Sequence, residues 1–312
     1  MFKYFVIVLL VILAISIAAL FFWRIYNRKY ISTNTVASAY DSWTQDKLLE
    51  RLWGEHIHLG FYQPNSKKVD FRDAKIDFVH KLVNWSGLDK LPRGSRILDV
   101  GCGIGGSSRI LANYYGFNVV GITLSSAQVK RATELTSNDC SCTFKVMNAL
   151  DMDFEDGEFD GIWSVEAGAH ITNKQKFADE MLRTLRPGGY FAMADWNSRD
   201  LISQPPSFIE KFVVKQLLEQ WVHPAFISIR GFHSILSKNK YSSGKVSSEN
   251  WNIYTNPSWL DSIIEGIRRP KAILSLGPLA LLKSFREIPT IILMNWAFSN
   301  ELMQFGVFKC RG

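Results

Sequence analysis

The stretch Ile97-Leu98-Asp99-Val100-Gly101-Cys102-Gly103-Ile104-Gly105-Gly106-Ser107-Ser108 constrains the chain more than any other. A short apolar run ends in a carboxylate, passes through glycines and opens into polar residues. That is how a parallel strand hands over to a helix at a nucleotide-type pocket. The glycines let the backbone turn sharply and approach a ligand with no Cβ in the way. Around it, apolar periodicity predicts helices over 70–88, 107–115, 127–135 and 173–184. Apolar runs predict strands over 97–100, 117–123, 143–147, 158–165 and 190–195, with further strands over 246–254 and 305–310. This alternation argues for an α/β chain with a doubly wound, mainly parallel sheet.

Gly101, Gly103 and Gly106 satisfy G-x-G-x-x-G, a weak signal by itself. Asp99 redirects it. A dinucleotide brings a pyrophosphate to this turn, which a carboxylate two residues before the first glycine repels. S-adenosylmethionine brings an ammonium and a sulfonium, which the same carboxylate attracts. The second strand also ends in Thr123-Leu124-Ser125, where a dinucleotide site places an acid for the ribose hydroxyls. Thr123 and Gln128 remain as neutral partners, with Ser125 as a helix cap. Asn148 can meet an adenine edge, or simply close its own turn.

After the fourth strand come Glu166 and His170, four apart. On a helix they share a face, and that face looks into the ligand crevice. They are the first candidates for a general base; the alternative is a solvated carboxylate and a satisfied histidine. His56 and His58, in an aromatic and glycine-rich block over 53–62, come second, with a surface hairpin as the alternative. Trp53 and Trp163 suit cation–π contact with a sulfonium, or plain packing.

The first 30 residues set a different constraint. Residues 4–23 carry no charge, and a helix at about 1.5 Å per residue makes them roughly 30 Å long, the thickness of a bilayer core. A cleaved signal peptide fits less well, because the apolar run continues past Ser16-Ile17-Ala18. Arg24, Arg28 and Lys29 follow, which places the rest of the chain on the cytoplasmic side of a plasma or thylakoid membrane as a single-pass protein. The net charge of +7 comes without long basic blocks, which excludes a nucleic-acid partner and leaves room for anionic lipid. Arg268, Arg269, Lys271, Lys283 and Arg286 are interleaved with apolar residues over 259–297, as membrane-surface or lid helices are; packed helices with a solvated face read the same way. Ten Trp and 21 Phe suit a large aromatic cavity or a membrane-facing surface. The four cysteines show no zinc spacing and read as reduced thiols, so no metal is expected. The organisation is then an anchor over 1–30, a helical lid segment over 31–90, a cofactor core over 91–196, a helical substrate cap over 197–245, and C-terminal strands and basic helices over 246–312.

From Leu98-Asp99-Val100-Gly101-Cys102-Gly103 to Leu185-Arg186-Pro187-Gly188-Gly189 the chain resembles class I S-adenosylmethionine-dependent methyltransferases. A longer pattern is more specific: Tyr40-Asp41, Trp53-Gly54-Glu55-His56-Ile57-His58, Gly121-Ile122-Thr123-Leu124-Ser125, the block Trp163 to His170, and Ala194-Asp195-Trp196. With it the chain is similar to the tocopherol methyltransferase family. The N-terminal apolar segment, Trp221-Val222-His223-Pro224-Ala225-Phe226 and Phe285-Arg286-Glu287-Ile288-Pro289-Thr290 narrow the match within that family. The resemblance implies a Rossmann-like seven-stranded sheet with a helical cap, S-adenosylmethionine as cofactor, and methylation of a ring carbon of a lipophilic prenylated quinol in tocopherol and plastoquinone biosynthesis. By position, Asp99, Gly101 and Gly103 would hold the methionine half, and Thr123 and Gln128 the ribose. Asn148-Ala149 would meet the adenine, with Cys102, Gly105 and Ser164 as further cofactor contacts. γ-Tocopherol, a sterol or an unsaturated acyl chain is the alternative acceptor, and cofactor binding without turnover is the alternative to an enzyme.

Overall fold

The computed structural model describes residues 30–65 and 69–312. The stretch 4–23, expected to be a transmembrane helix, lies outside the described residues. Among the described residues no helix is long and apolar enough to cross a membrane.

Seven strands form one sheet: β1 (Arg96–Val100), β2 (Asn118–Thr123), β3 (Cys142–Val146), β4 (Phe159–Val165), β5 (Leu185–Ser198), β6 (Ser243–Asn250) and β7 (Met303–Arg311). Their order is β3-β2-β1-β4-β5-β7-β6. The first five strands run parallel, and β7 is antiparallel to both β5 and β6. Alternation along the central strands divides the core between two faces. Ile97 and Ala192 pack with Phe78, Val79 and Leu82 of helix Phe71–Ser86. Their neighbours Leu98 and Met193 pack on the other face with Phe177 and Met181 of helix Lys174–Thr184. Both faces are covered, so these strands read as continuous apolar runs.

Strand order reverses between β1 and β4. In open α/β sheets the ligand crevice lies at such a reversal, outside the carboxyl ends of the strands. Asp99 pairs in register with Trp163 there. The glycine turn follows β1, and Glu166 follows β4.

Several boundaries differ from the sequence reading for physical reasons. The helix expected over 70–88 stops at Ser86, because Gly87 turns left-handed (φ 83°) and a short 3-10 turn, Leu88–Lys90, follows. The fifth strand begins at Leu185, five residues before the expected start, and extends to Ser198 along β7. The sixth strand lies over Ser243–Asn250, and helix Asn252–Thr255 occupies the rest of the expected strand. The buried Asn252 fixes that turn: its amide donates to the Phe298 and Met303 carbonyls and its carbonyl accepts from Phe305 N–H at 2.7 Å. The basic region folds as helices Pro257–Arg268, Pro270–Leu274 and Pro278–Ser299. A proline opens each, where its missing N–H costs nothing; Pro289 lies inside the last.

Candidate active site at the carboxyl end of the sheet

Gly101, Gly103 and Gly105 all take left-handed backbone angles, with φ of 83°, 54° and 81°. The Ile122 carbonyl accepts both the Gly101 and the Cys102 N–H, which pins the turn to β2. A Cβ on Gly101 would lie 2.3 Å from the Ala167 Cβ, whereas one on Gly103 would meet nothing within 4 Å. The two positions therefore separate backbone cost from steric cost. Gly103→Ala should cost only the left-handed penalty, about 1–2 kcal/mol. Gly101→Ala adds a clash with backbone-anchored atoms and should cost roughly twice as much, read by thermal denaturation, with a matching loss of cofactor affinity.

Asp99 is 2 % exposed, and its hydrogen-bond donor among the described residues is the Ser108 hydroxyl at 2.5 Å. Burial pushes its pKa up to about 7, against the Ser108 bond. A buried carboxylate with one neutral donor, bordering a cavity, lacks the counter-charge that such groups ordinarily have. The ammonium of S-adenosylmethionine supplies one, so the residues present fit that cofactor.

The remaining cofactor candidates divide into two groups. Asp99, Gly101, Cys102, Gly103, Thr123, Gln128 and Ala149 line one cavity. The Thr123 hydroxyl donates to Gln128 Oε1 at 2.7 Å, and Ser125 caps the helix that carries Gln128. Asp41 accepts from both the Ser125 hydroxyl and the Ala127 N–H, joining the N-terminal helix Thr33–Gln45 to this edge. Gly105, Asn148 and Ser164 lie off the cavity wall. Asn148 closes its own turn by accepting from Leu150 N–H at 3.0 Å. Ser164 is fully buried and donates to the Val100 carbonyl, supporting the glycine turn from behind.

Glu166 and His170 do not stand on a common α-helix. Glu166 has φ 55°, a left-handed conformation uncommon for a residue with a Cβ, and the chain then makes a 3-10 turn, Gly168–His170. Strain of this kind, worth about 1–3 kcal/mol, concentrates at functional sites. The Glu166 N–H still reaches the Ala194 carbonyl, so the side chain leaves the sheet edge at a fixed angle. Its Oε1 accepts from Leu59 N–H at 2.7 Å. Burial pushes its pKa up to about 8, with Asp195 adding to the rise and the Leu59 bond and nearby Lys75 opposing it. Lys75 is itself buried, donating to the His56 carbonyl and resting 4.3 Å from the Trp53 and Phe71 rings. Burial pushes the Lys75 pKa well below the ordinary lysine value, and its amine already occupies the Trp53 face.

His170 meets two groups that carry no role in the sequence reading. Its Nε2 is 2.8 Å from the Tyr40 hydroxyl. Its ring stacks on His223, with centroids 4.2 Å apart and an interplanar angle of 23°. Burial lowers the His170 pKa to about 4, so the imidazole is neutral. Asp195 accepts from Ala169 N–H and holds the turn that carries it. The signal available in the sequence was positional only: Tyr40-Asp41 and Trp221 to Phe226 both recur in the family pattern.

His56 and His58 form a defined pair. The His58 Nδ1 lies 2.8 Å from the Leu59 carbonyl, so that nitrogen carries the proton. Its Nε2 then accepts, and the nitrogen facing it at 3.2 Å is His56 Nδ1. The His56 lone pair is left on Nε2. Burial lowers both pKa values, that of His58 to about 3.

These groups surround a cavity of about 840 Å³, at the upper end of the usual range for ligand sites. The glycine turn and Glu166 form its polar side. The opposite side is aromatic and aliphatic: Trp196, Trp221 and Trp259 pack with centroids 5.4–5.8 Å apart, and Ile263, Ile267, Leu274, Phe285 and Ile291 continue the wall.

A seven-stranded sheet with a buried acid and a glycine turn after β1, opening on one large cavity, defines a class I S-adenosylmethionine-dependent methyltransferase. The methyltransferase domain family matches residues 98–193. The chain is 52% identical over 300 residues to the 2-methyl-6-phytyl-1,4-hydroquinone methyltransferase of Synechocystis sp., covering 96% of this chain and 94% of that one. It is 31% identical to the chloroplastic tocopherol O-methyltransferase of Arabidopsis thaliana, over 85% of this chain and 78% of the other. Among solved structures, the cyclopropane synthase MmaA2 of Mycobacterium tuberculosis superposes with a TM-score of 0.74 over 89% of this chain and 97% of that one, at 14% identity. The chain belongs to the tocopherol methyltransferase family, and it is an enzyme that takes S-adenosylmethionine as its methyl donor.

Proposed function

We propose that the enzyme methylates a ring carbon of a prenylated benzoquinol, 2-methyl-6-phytyl-1,4-benzoquinol and its solanesyl analogue, in tocopherol and plastoquinone biosynthesis. The observation that carries this reading is the two-sided cavity. Its polar side holds a buried acid at the sheet edge, and its apolar side is long enough in aliphatic and aromatic residues to receive a prenyl chain. The name of the Synechocystis relative supports the same substrate.

Bound S-adenosylmethionine supplies an electrophilic methyl group. Asp99 and the glycine turn would hold and orient its charged end. Glu166 takes a proton from the hydroxyl beside the reacting carbon, which raises electron density at that carbon. The carbon gains the methyl as the methyl's bond to sulfur breaks, then loses its own ring proton as aromaticity returns. Glu166 returns its proton to the oxygen, so that both hydroxyls are free. Its pKa near 8 puts the carboxyl close to working pH, where a general base is most effective. Burial keeps His170 neutral, and the Tyr40 hydroxyl holds it in place on the same wall. The tryptophan cluster excludes water, so alignment of the two reactants carries most of the rate.

The same reading includes a membrane. A phytyl quinol partitions into the bilayer, and an anchor over 4–23 would hold the enzyme there with its body on the cytoplasmic side of a plasma or thylakoid membrane. Ile267, Leu274 and Phe285 each line the cavity yet are 61–73 % exposed, so the apolar wall continues out to the surface. Purified enzyme given labelled methyl donor and a panel of phytyl quinol, solanesyl quinol, γ-tocopherol, a sterol and an unsaturated phospholipid should label the two quinols. Label confined to the sterol or phospholipid would overturn the substrate assignment.

A further inference from the structure

The loop 221–226 enters the site on strained backbone. Val222 takes φ 58°, which for a β-branched residue is a genuine outlier. Two bonds hold it there: the Trp221 indole donates to Glu287 at 2.9 Å, and the His223 N–H donates to the Leu218 carbonyl at 3.0 Å. The consequence is that His223, 4 % exposed, stands on the cavity wall between the rings of His170 and Trp196, at 4.2 and 5.2 Å.

His170 Nε2 meets the Tyr40 hydroxyl, Glu166 Oε1 accepts from Leu59, and Asp195 accepts from Ala169. Burial and the facing His170 hold the His223 imidazole neutral against the pull of the Ala169 carbonyl beside it, so one ring nitrogen carries the proton and the other retains its lone pair. The buried His223 Nδ1 makes no hydrogen bond among the described residues. Other buried polar atoms on the wall also make no hydrogen bond among the described residues, the Trp163, Trp196 and Trp259 indole N–H groups and His170 Nδ1. An indole can only donate, however, and so cannot receive a hydroxyl proton. Trp196 lines the same cavity as Glu166 and packs its ring against His223.

A 1,4-quinol carries two hydroxyls on opposite ring carbons. The one next to the reacting carbon activates it and belongs to Glu166 in the reading above. The other is meta to that carbon, does not activate it, and needs an acceptor of its own when buried. We propose that His223 accepts the hydrogen bond of this second hydroxyl, which makes it the residue that selects a quinol over a monophenol. The inference rests on the quinol reading and adds which wall recognises which oxygen.

The test crosses a substrate deletion with a side-chain deletion. The substrates are a prenyl quinol and the monophenol that keeps only the hydroxyl beside the methylated carbon, both in detergent micelles. Wild-type enzyme should prefer the quinol in kcat/KM by about 10- to 100-fold, the range expected for one buried hydroxyl left unpaired. In His223→Phe, which preserves a stacked ring, that ratio should collapse toward one, and His223→Gln, with an amide oxygen to accept, should recover part of it. A His223→Phe enzyme that loses the same factor on both substrates has lost a structural support only, and overturns the proposal. So does an undiminished preference. Wild-type enzyme inactive on both substrates overturns the quinol reading and this inference with it.

Discussion

Glu166→Gln should lower kcat for methyl transfer by about 10²–10⁴, the range a positioned general base contributes, while making the protein more stable at alkaline pH. Both effects follow from one fact. Burial holds the Glu166 pKa near 8 instead of its ordinary 4.5. Between those values the folded protein binds a proton that the unfolded chain releases, so stability falls as pH rises from about 4.5 to about 8. A tenfold change in proton affinity between the two states is worth about 1.4 kcal/mol. A neutral amide at this position carries no such penalty. Thermal melts at pH 9 should therefore place the variant above wild type by several degrees, given about 2–4 °C per kcal/mol for a domain of this size; at pH 5 the two should converge. In the wild type, kcat should rise with pH through about 8, and the variant should lose that limb. A variant of full activity, or one less stable than wild type at pH 9, contradicts the role assigned to this carboxyl.

Asp99→Asn should weaken S-adenosylmethionine binding by about 2–4 kcal/mol, roughly 30- to 1,000-fold, because it leaves a buried ligand cation without its partner. The pH dependence distinguishes charge from shape. Burial raises the Asp99 pKa to about 7, and a bound cation favours the ionised form. Wild-type affinity should therefore climb as pH rises from 5 to about 7 and then level off. The Asn variant should show a flat profile from this group. Calorimetric titration at three pH values reads both, and equal slopes in the two proteins would remove Asp99 from the cofactor site.

How much of this was legible from residues alone depended on where the constraint lay. The turn after β1 was legible because glycine and aspartate are demanded there by backbone angle and ligand charge, and both demands act locally. The central strands were legible because burial on both faces writes continuous apolar runs. β6 was placed late: its sequence, Ser243-Gly244-Lys245-Val246-Ser247-Ser248-Glu249-Asn250, is polar, as an edge strand's can be, and carries no usable period. The i,i+4 spacing of Glu166 and His170 suggested a shared helical face, whereas a left-handed glutamate cannot be read from its letter. The pair Tyr40 and His170 is separated by 130 positions, and only closure of the N-terminal helix over the sheet brings them together. His223 is placed by a strained valine whose need for support comes from Glu287, on another helix.

The position of the transferred methyl group tests the central claim most directly. Purified enzyme, ¹³C-methyl S-adenosylmethionine and 2-methyl-6-phytyl-1,4-benzoquinol should yield a product whose labelled methyl is bonded to an aromatic ring carbon, with both hydroxyls free. Label on a phenolic oxygen, or turnover with no label in the quinol, would contradict the account.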